Sequence, residues 1–449
     1  MNGKEDSQSV CAIKDGKLAS LLTDPNRTSS SFWNRICPNL SIETTNDKKA
    51  DANPTISSDE AERRRAKLVN DGFALVDEPL DPALIKNLKE GITRLHEQNL
   101  PASLILLFDE TWELAQSSRK VLASSSHSKN SFNFDLFAWY IEAGKSGFSP
   151  HRDRQPSDAT ATFHADDEQA KFITQWIALS DATPENSCLY VIPKPHDPGY
   201  VDGDTEEEDP MRRSLPDKES FQHIRALPRQ PGQSILFTHR IIHWGSKSDP
   251  DTSHPPRIAI SFVCSDPTYE APLVSPDCFT ENNTPNFSTR LLLVCAQLLI
   301  YYQRLELSKD TIKACYEYCK EHESELDENY RHKVFFEFVK AMKETADETK
   351  AQEDSGKSKG INLVVTEEGD EEDEEDAVME EMLNAEASGY GEFEDDYDDL
   401  EGDNDVENAG GEGYEESSDE EEEGLTLFGK KPESDDEDCK PPVKKTKIG

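Results

Sequence analysis

From residue 59 onward the chain alternates between helix-like and strand-like spacings of apolar residues. EAERRRAKLVNDG (60–72) reads as a short helix closed by Gly72, since glycine accepts the left-handed backbone that ends a helix. FALVDEPL (73–80) alternates and stops at a proline, as an edge strand does. DPALIKNLKEGITRLHEQN (81–99) sets Leu84, Leu88, Ile92 and Leu95 on one face behind an Asp81-Pro82 start, which predicts an amphipathic helix. FDLFAWYIEAG (134–144), KFITQWIALSDA (171–182), SCLYVIP (187–193), GQSILFTHRIIHW (232–244) and RIAISFVCS (257–265) read as strands. Clusters of Pro, Gly, Asn and Asp separate them, and short strands punctuated this way suggest a closed sheet or a sandwich. After about residue 286 the spacing turns helical. STRLLLVCAQLLIYYQRLEL (288–307) predicts a buried helix, and 309–326 and 329–352 predict amphipathic ones.

Charge divides this pattern. The formal net charge is −44, yet residues 367–438 alone hold 35 acidic and 2 basic side chains, which leaves the rest only mildly acidic. Four regions follow: a flexible N-terminal arm at 1–58, a β domain at 59–270, a helical extension at 271–350, and a disordered acidic tail with a basic C-terminus at 351–449. Within the arm, only a short docked turn around Phe32 and Trp33 is expected. Residues 99–131, 155–170 and 197–230 read as loops, where substrate choice would reside. The nine cysteines form no CxxC pair, and Cys315 and Cys319, four apart, read as neighbouring thiols on one helix. The N-terminus lacks a signal-type apolar core, and LLLVCAQLLIYY (291–302) falls short of the roughly 20 residues that span a bilayer. An intracellular protein with reduced thiols is expected.

The candidate chemistry lies in two separated segments, SPHRDR (149–154) and GQSILFTHRIIHWGS (232–246). Two imidazoles and one carboxylate can hold an iron ion on one face and leave the other face open. Two H-x-D motifs compete, His151-Arg152-Asp153 and His164-Ala165-Asp166. The first follows an aromatic strand and is presented by it; the second sits in a polar loop, where His164 reads as a surface histidine. His239 and His243 also compete. A helical zinc protease would place an acid after the first histidine, but Arg240 stands there. His243 ends a strand, so His239 reads as a core or supporting residue. Arg257 opens the next strand, where a guanidinium can grip a carboxylate through two hydrogen bonds.

Over about residues 60–270 these segments resemble the phytanoyl-CoA dioxygenase (PhyH) family of Fe(II)/2-oxoglutarate oxygenases. LVNDGFALVDEPLDPALIKNLKEGI (68–92) looks like that family's opening strand and helix, and SPHRD supplies its H-x-D. WIALSDATPENSCLYVIPKPH (176–196) is similar to its WxAL-D-xx-NGxLxxxPGSH block. GQSILFTHRIIHWGS and PPRIAISF match the segments with its distal histidine and arginine. The resemblance implies a mainly β (α+β) double-stranded β-helix, a jelly-roll or cupin-like core. It implies Fe(II) on His151, Asp153 and His243, 2-oxoglutarate held by Arg257 with help from Ser246, and O2 as the second cosubstrate. The implied reaction hydroxylates a substrate, small molecule or protein, and releases succinate and CO2. Ser187 departs from the glycine of N-G-x-L, and Lys194-Pro195 from the glycine and serine of PGSH; both bear on the pocket rim. Arg152, between the ligands, is expected to alter charge at the mouth.

The tail supports a further expectation. Tyr390, Phe393, Tyr397 and Leu400 lie among its acids, and such a segment suits a basic protein partner. Phosphate would be repelled, so no direct nucleic-acid binding is expected. KPPVKKTK (440–447) could serve as a nuclear signal, and the terminus KIG is not a peroxisomal address. A cytoplasmic or nuclear protein is expected, with no membrane partner. The alternative function is a non-catalytic interaction protein that binds basic partners through the β fold and the tail.

Overall fold

The computed structural model describes residues 17–42 and 56–357, apart from 79, 155–158, 205–208, 252–253 and 306, and apart from the side chains of 159 and 345–357. Of the tail expected at 351–449, residues 351–357 continue a helix; the acidic segment 367–438 and the basic C-terminus lie outside the described residues. The described strands are β1 (Phe73–Val76), β2 (Ser131–Ile141), β3 (Phe172–Ala178), β4 (Leu189–Ile192), β5 (Arg225–Leu227), β6 (Ser234–Thr238), β7 (Ile242–Gly245) and β8 (Arg257–Ser265). They form two antiparallel sheets, a five-stranded one in the order β1-β6-β3-β8-β2 and a three-stranded one in the order β5-β4-β7. Trp176, Phe237 and Ala259 of the larger sheet pack in one cluster with Leu189, Val191 and Leu227 of the smaller. The core is a double-stranded β-helix, as expected. Strands β3 and β8 are buried at every residue because helices cover their other face.

The helices explain that cover. They are α1 (Lys17–Thr23), α2 (Ser30–Asn34), α3 (Ser58–Asp71), α4 (Pro82–Glu97), α5 (Asp109–Ser125), α6 (Gly199–Asp202), α7 (Pro210–Ser214), α8 (Phe287–Ile300), α9 (Tyr302–Leu305), α10 (Lys309–Glu321) and α11 (Glu328–Lys357). Gly72 closes α3 with φ of 80°, and Asp81 caps α4 by accepting the Ala83 N–H at 2.8 Å. Every residue from Leu291 to Leu299 of α8 is buried, which explains why that helix is apolar all round. Cys315 and Cys319 lie buried on α10 beside Cys295 of α8, as core thiols.

Several expectations are corrected. GQSILFTHRIIHW is not one strand: β6 ends at Thr238, the chain turns a corner at His239–Ile241, and β7 belongs to the other sheet. Its uninterrupted apolar character reflects burial on both sides of the corner, so the apolar run hid the turn. Residues 99–131 are not a loop but a 3-10 segment, Ala102–Leu107, followed by α5; both insert apolar side chains into the core. The stretch 197–230 contains α6, α7 and β5. Within the N-terminal arm, α1 and α2 bury Leu18, Leu22 and Trp33 in the same core as α4 and α8.

Candidate metal centre and cosubstrate pocket

Strand pairing builds the centre. His151 and His243 face each other across a backbone bridge, with N–H to O distances of 3.1 and 3.0 Å in the two directions. Residues opposed in an antiparallel pair project to the same side. Two residues on, the Asp153 N–H donates to the His239 carbonyl at 3.0 Å, and the carboxylate turns into the same space. Asp153 Oδ1 lies 3.6 Å from His151 Nε2 and 3.5 Å from His243 Nε2.

Each donor is prepared for an ion. His151 Nδ1 sits 2.7 Å from the Ser149 carbonyl and His243 Nδ1 3.2 Å from the Ile241 carbonyl, so both carry their proton there and leave Nε2 a free lone pair. Thr174 donates its hydroxyl to Asp153 Oδ2 at 3.1 Å, which leaves Oδ1 for the metal. Burial holds the His243 imidazole down at about 4, helped by the charge of His151. Burial alone would raise the Asp153 carboxyl, but His243, His151 and Arg154 outweigh it and keep it below the usual carboxylate range. Two imidazoles and one carboxylate on one side of an open pocket fit Fe(II).

A second cluster, His127, His164 and Asp166, also gathers possible ligand atoms within 4.8 Å. Its two imidazoles stack at 3.8 Å with only 23° between their planes. An imidazole lone pair lies in the ring plane, so stacked rings cannot both aim at one ion. The His151 and His243 rings are inclined at 48°. His164 is also not the expected surface residue: it is buried, with Nε2 2.9 Å from Asn130 Oδ1.

Arg257 opens β8 and lines the same pocket as His151, Asp153 and His243. Because β7 and β8 belong to different sheets, it reaches the pocket from the facing sheet. It is 2% exposed, lies over the Trp176 ring at 5.5 Å, and has no acidic partner among the described residues. Burial brings the guanidinium down to about 10. Its Nε and the Trp176 Nε1 are buried donors without acceptors. Gly147 and Gly245 flank its tip, and a Cβ on either would fall within 3.1 Å of Nη2. This cradle of unanswered donors fits a carboxylate.

The other residues named from the sequence have the following surroundings. His239 is buried in the corner, with Nδ1 3.1 Å from the Phe172 carbonyl, outside the triad. Ser246 follows Gly245 and lies beside the Tyr190 phenol. Arg152 does not charge the mouth: its guanidinium is buried against Asp197, Asp204 and the Arg240 carbonyl. Arg154, by contrast, lines the pocket, bound to Glu270 and Asp135, and Gln297 of α8 in turn donates to Asp135. The sequence reading missed Thr174 and the donor role of Trp176. Their signal was present in FITQWIA, where Phe172, Thr174 and Trp176 share one face of β3.

Residues 104–258 match the model of the phytanoyl-CoA dioxygenase (PhyH) family. This stretch is a PhyH-family domain. The PhyH domain holds His151, Asp153, His243 and Arg257, and the protein is an Fe(II)/2-oxoglutarate oxygenase. No curated protein matches the chain. Among solved structures it is similar to the epimerase SnoN in complex with Fe3+, alpha ketoglutarate and nogalamycin RO, at 20% identity over 47% of this chain and 86% of that one, TM-score 0.37. The alpha ketoglutarate dependent carbocyclase SnoK is 15% identical over 48% and 87%, TM-score 0.37. HygX from Streptomyces hygroscopicus, with nickel, 2-oxoglutarate and hygromycin B bound, is 10% identical over 45% and 86%, TM-score 0.34.

Proposed function

We propose that the protein is a hydroxylase in which His151 Nε2, Asp153 Oδ1 and His243 Nε2 hold Fe(II), and Arg257 holds the distal carboxylate of 2-oxoglutarate. The observation that carries this reading is a buried, acid-free guanidinium in one pocket with a convergent His-Asp-His set. Fe(II) held there would supply activation of O2 at the expense of 2-oxoglutarate, which leaves as succinate and CO2 while a substrate C–H becomes C–OH.

The chain's own residues do the rest. Arg257 and Trp176 bind and orient the anion, and Thr174 keeps the Asp153 carboxylate turned toward the ion. Arg154 donates to the Asp153 carbonyl at 2.7 Å and is fixed by Glu270, which stiffens the loop that presents the ligand. Phe137, Trp139, Phe148, Phe237 and Trp244 wall the pocket with apolar surface and exclude water from the reacting atoms. Tyr301, at the end of α8, adds a wall from outside the PhyH match.

The test is conversion of 2-oxoglutarate to succinate by the full-length protein with Fe(II) and O2, followed by a search for the substrate that accelerates it. Turnover that depends on Fe(II) and disappears in Asp153→Ala and Arg257→Gln supports the reading. Turnover unchanged in both variants overturns it.

A further inference from the structure

One buried donor near Arg257 stands outside the family pattern. Where the PhyH block has glycine after its asparagine, this chain has Ser187. Ser187 keeps the glycine's conformation, with φ of 71° and ψ of 49°, a left-handed backbone that a serine adopts only under constraint. The constraint is visible. The Thr183 N–H donates to Asn186 Oδ1 at 2.6 Å, Asn186 Nδ2 donates to the Asp181 and Pro255 carbonyls at 2.8 and 3.2 Å, and the Cys188 N–H returns to the Thr183 carbonyl at 2.9 Å. The loop therefore holds Ser187 in place at both sides.

The hydroxyl held there has no protein partner. Ser187 is fully buried, and its Oγ makes no hydrogen bond. It lies on the same side of Gly245 as the tip of Arg257: the point where a Cβ on Gly245 would sit is 3.1 Å from Arg257 Nη2 and 3.2 Å from Ser187 Oγ. The two groups thus border the same small space, which Gly147 and Gly245 keep open. Ser246 lies just past the end of β7, beside Tyr190, which stacks on Trp244 at 5.7 Å.

We propose that Ser187 is a hydrogen-bond donor to the distal carboxylate that Arg257 grips, a cosubstrate contact absent from the family pattern. This inference rests on the 2-oxoglutarate reading above. A strained, buried hydroxyl beside a buried cation without a counter-acid is explained by one missing acceptor, an anionic oxygen, that satisfies both.

The test uses the full-length protein loaded with Ni(II), which binds but does not turn over. Affinities are measured for 2-oxoglutarate and for pyruvate, which shares the 2-oxo acid end and lacks the distal carboxylate. Ser187→Gly removes the hydroxyl and suits the backbone, so its melting temperature should equal or exceed that of the wild type. Its affinity for 2-oxoglutarate should fall about tenfold while pyruvate binding stays unchanged. Ser187→Ala should lose the same affinity. Wild-type affinity in Ser187→Gly, or an equal loss for both ligands, would overturn the proposal. A wild type that does not prefer 2-oxoglutarate to pyruvate would overturn the parent reading, and with it this one.

Discussion

At the scale of the residue, the centre depends on groups that orient the ligands as much as on the ligands. Thr174 donates to Asp153 Oδ2, so Thr174→Val should let the carboxylate rotate and weaken Ni(II) binding about tenfold, with Thr174→Ser restoring it. Calorimetric titration with the metal alone checks this, and equal affinity in the valine variant would contradict it. His239 carries a pH effect. Burial depresses its imidazole from 6.5 to about 3, so the folded protein keeps it neutral where the unfolded chain takes up a proton. The stability contributed by this difference is complete above pH 6.5 and is lost as the pH falls from there to about 3. In metal-free protein, His239→Asn should therefore reduce the fall of the urea midpoint with acidification by the slope of one proton. A parallel fall in both proteins would show that His239 does not titrate on unfolding.

At the scale of the element, the corner between β6 and β7 decides the site. It carries the chain from one sheet to the other, so that His243 faces His151 while the His239 carbonyl holds the Asp153 N–H. Arg152, between the two ligands, points the other way and pins this corner to the loop of α6 through Asp197, Asp204 and the Arg240 carbonyl. Breaking such a buried pair leaves the acids uncompensated, and Arg152→Leu should destabilise the fold by about 3–5 kcal/mol in chemical denaturation. A loss below about 1 kcal/mol would mean that solvent already screens the cluster. Most of the strands, α3, α4 and the cluster of His151, Asp153 and His243 were legible because each rests on local periodicity or a short motif. The corner was not, since two strands buried on both sides read as one apolar run. Nor was α5, whose buried residues lack the polar alternation that marks a surface helix. The roles of Thr174 and Ser187 were missed for a different reason: both positions could be placed from the sequence, but what they do depends on the neighbourhoods of Asp153 and Arg257, far away in the chain.

At the scale of the whole molecule, the helical extension is part of the catalytic core. Gln297 of α8 donates to Asp135 at 2.9 Å, Asp135 faces Arg154, and Arg154 braces the Asp153 backbone. The buried length of α8 packs in the same cluster as Phe134 and Phe262 of the large sheet. A chain ending at residue 286 should therefore lose cooperative thermal unfolding, although it retains the entire family match; a sharp transition in that fragment would contradict this. The central claim is the metal centre with its anion cradle. Its most direct test is equilibrium binding by the full-length protein, purified without oxygen, of Fe(II) and then 2-oxoglutarate. The structure predicts one of each per chain, Fe(II) binding abolished by His243→Ala, and 2-oxoglutarate binding weakened at least a hundredfold by Arg257→Gln. Folded wild-type protein that binds neither would contradict the account.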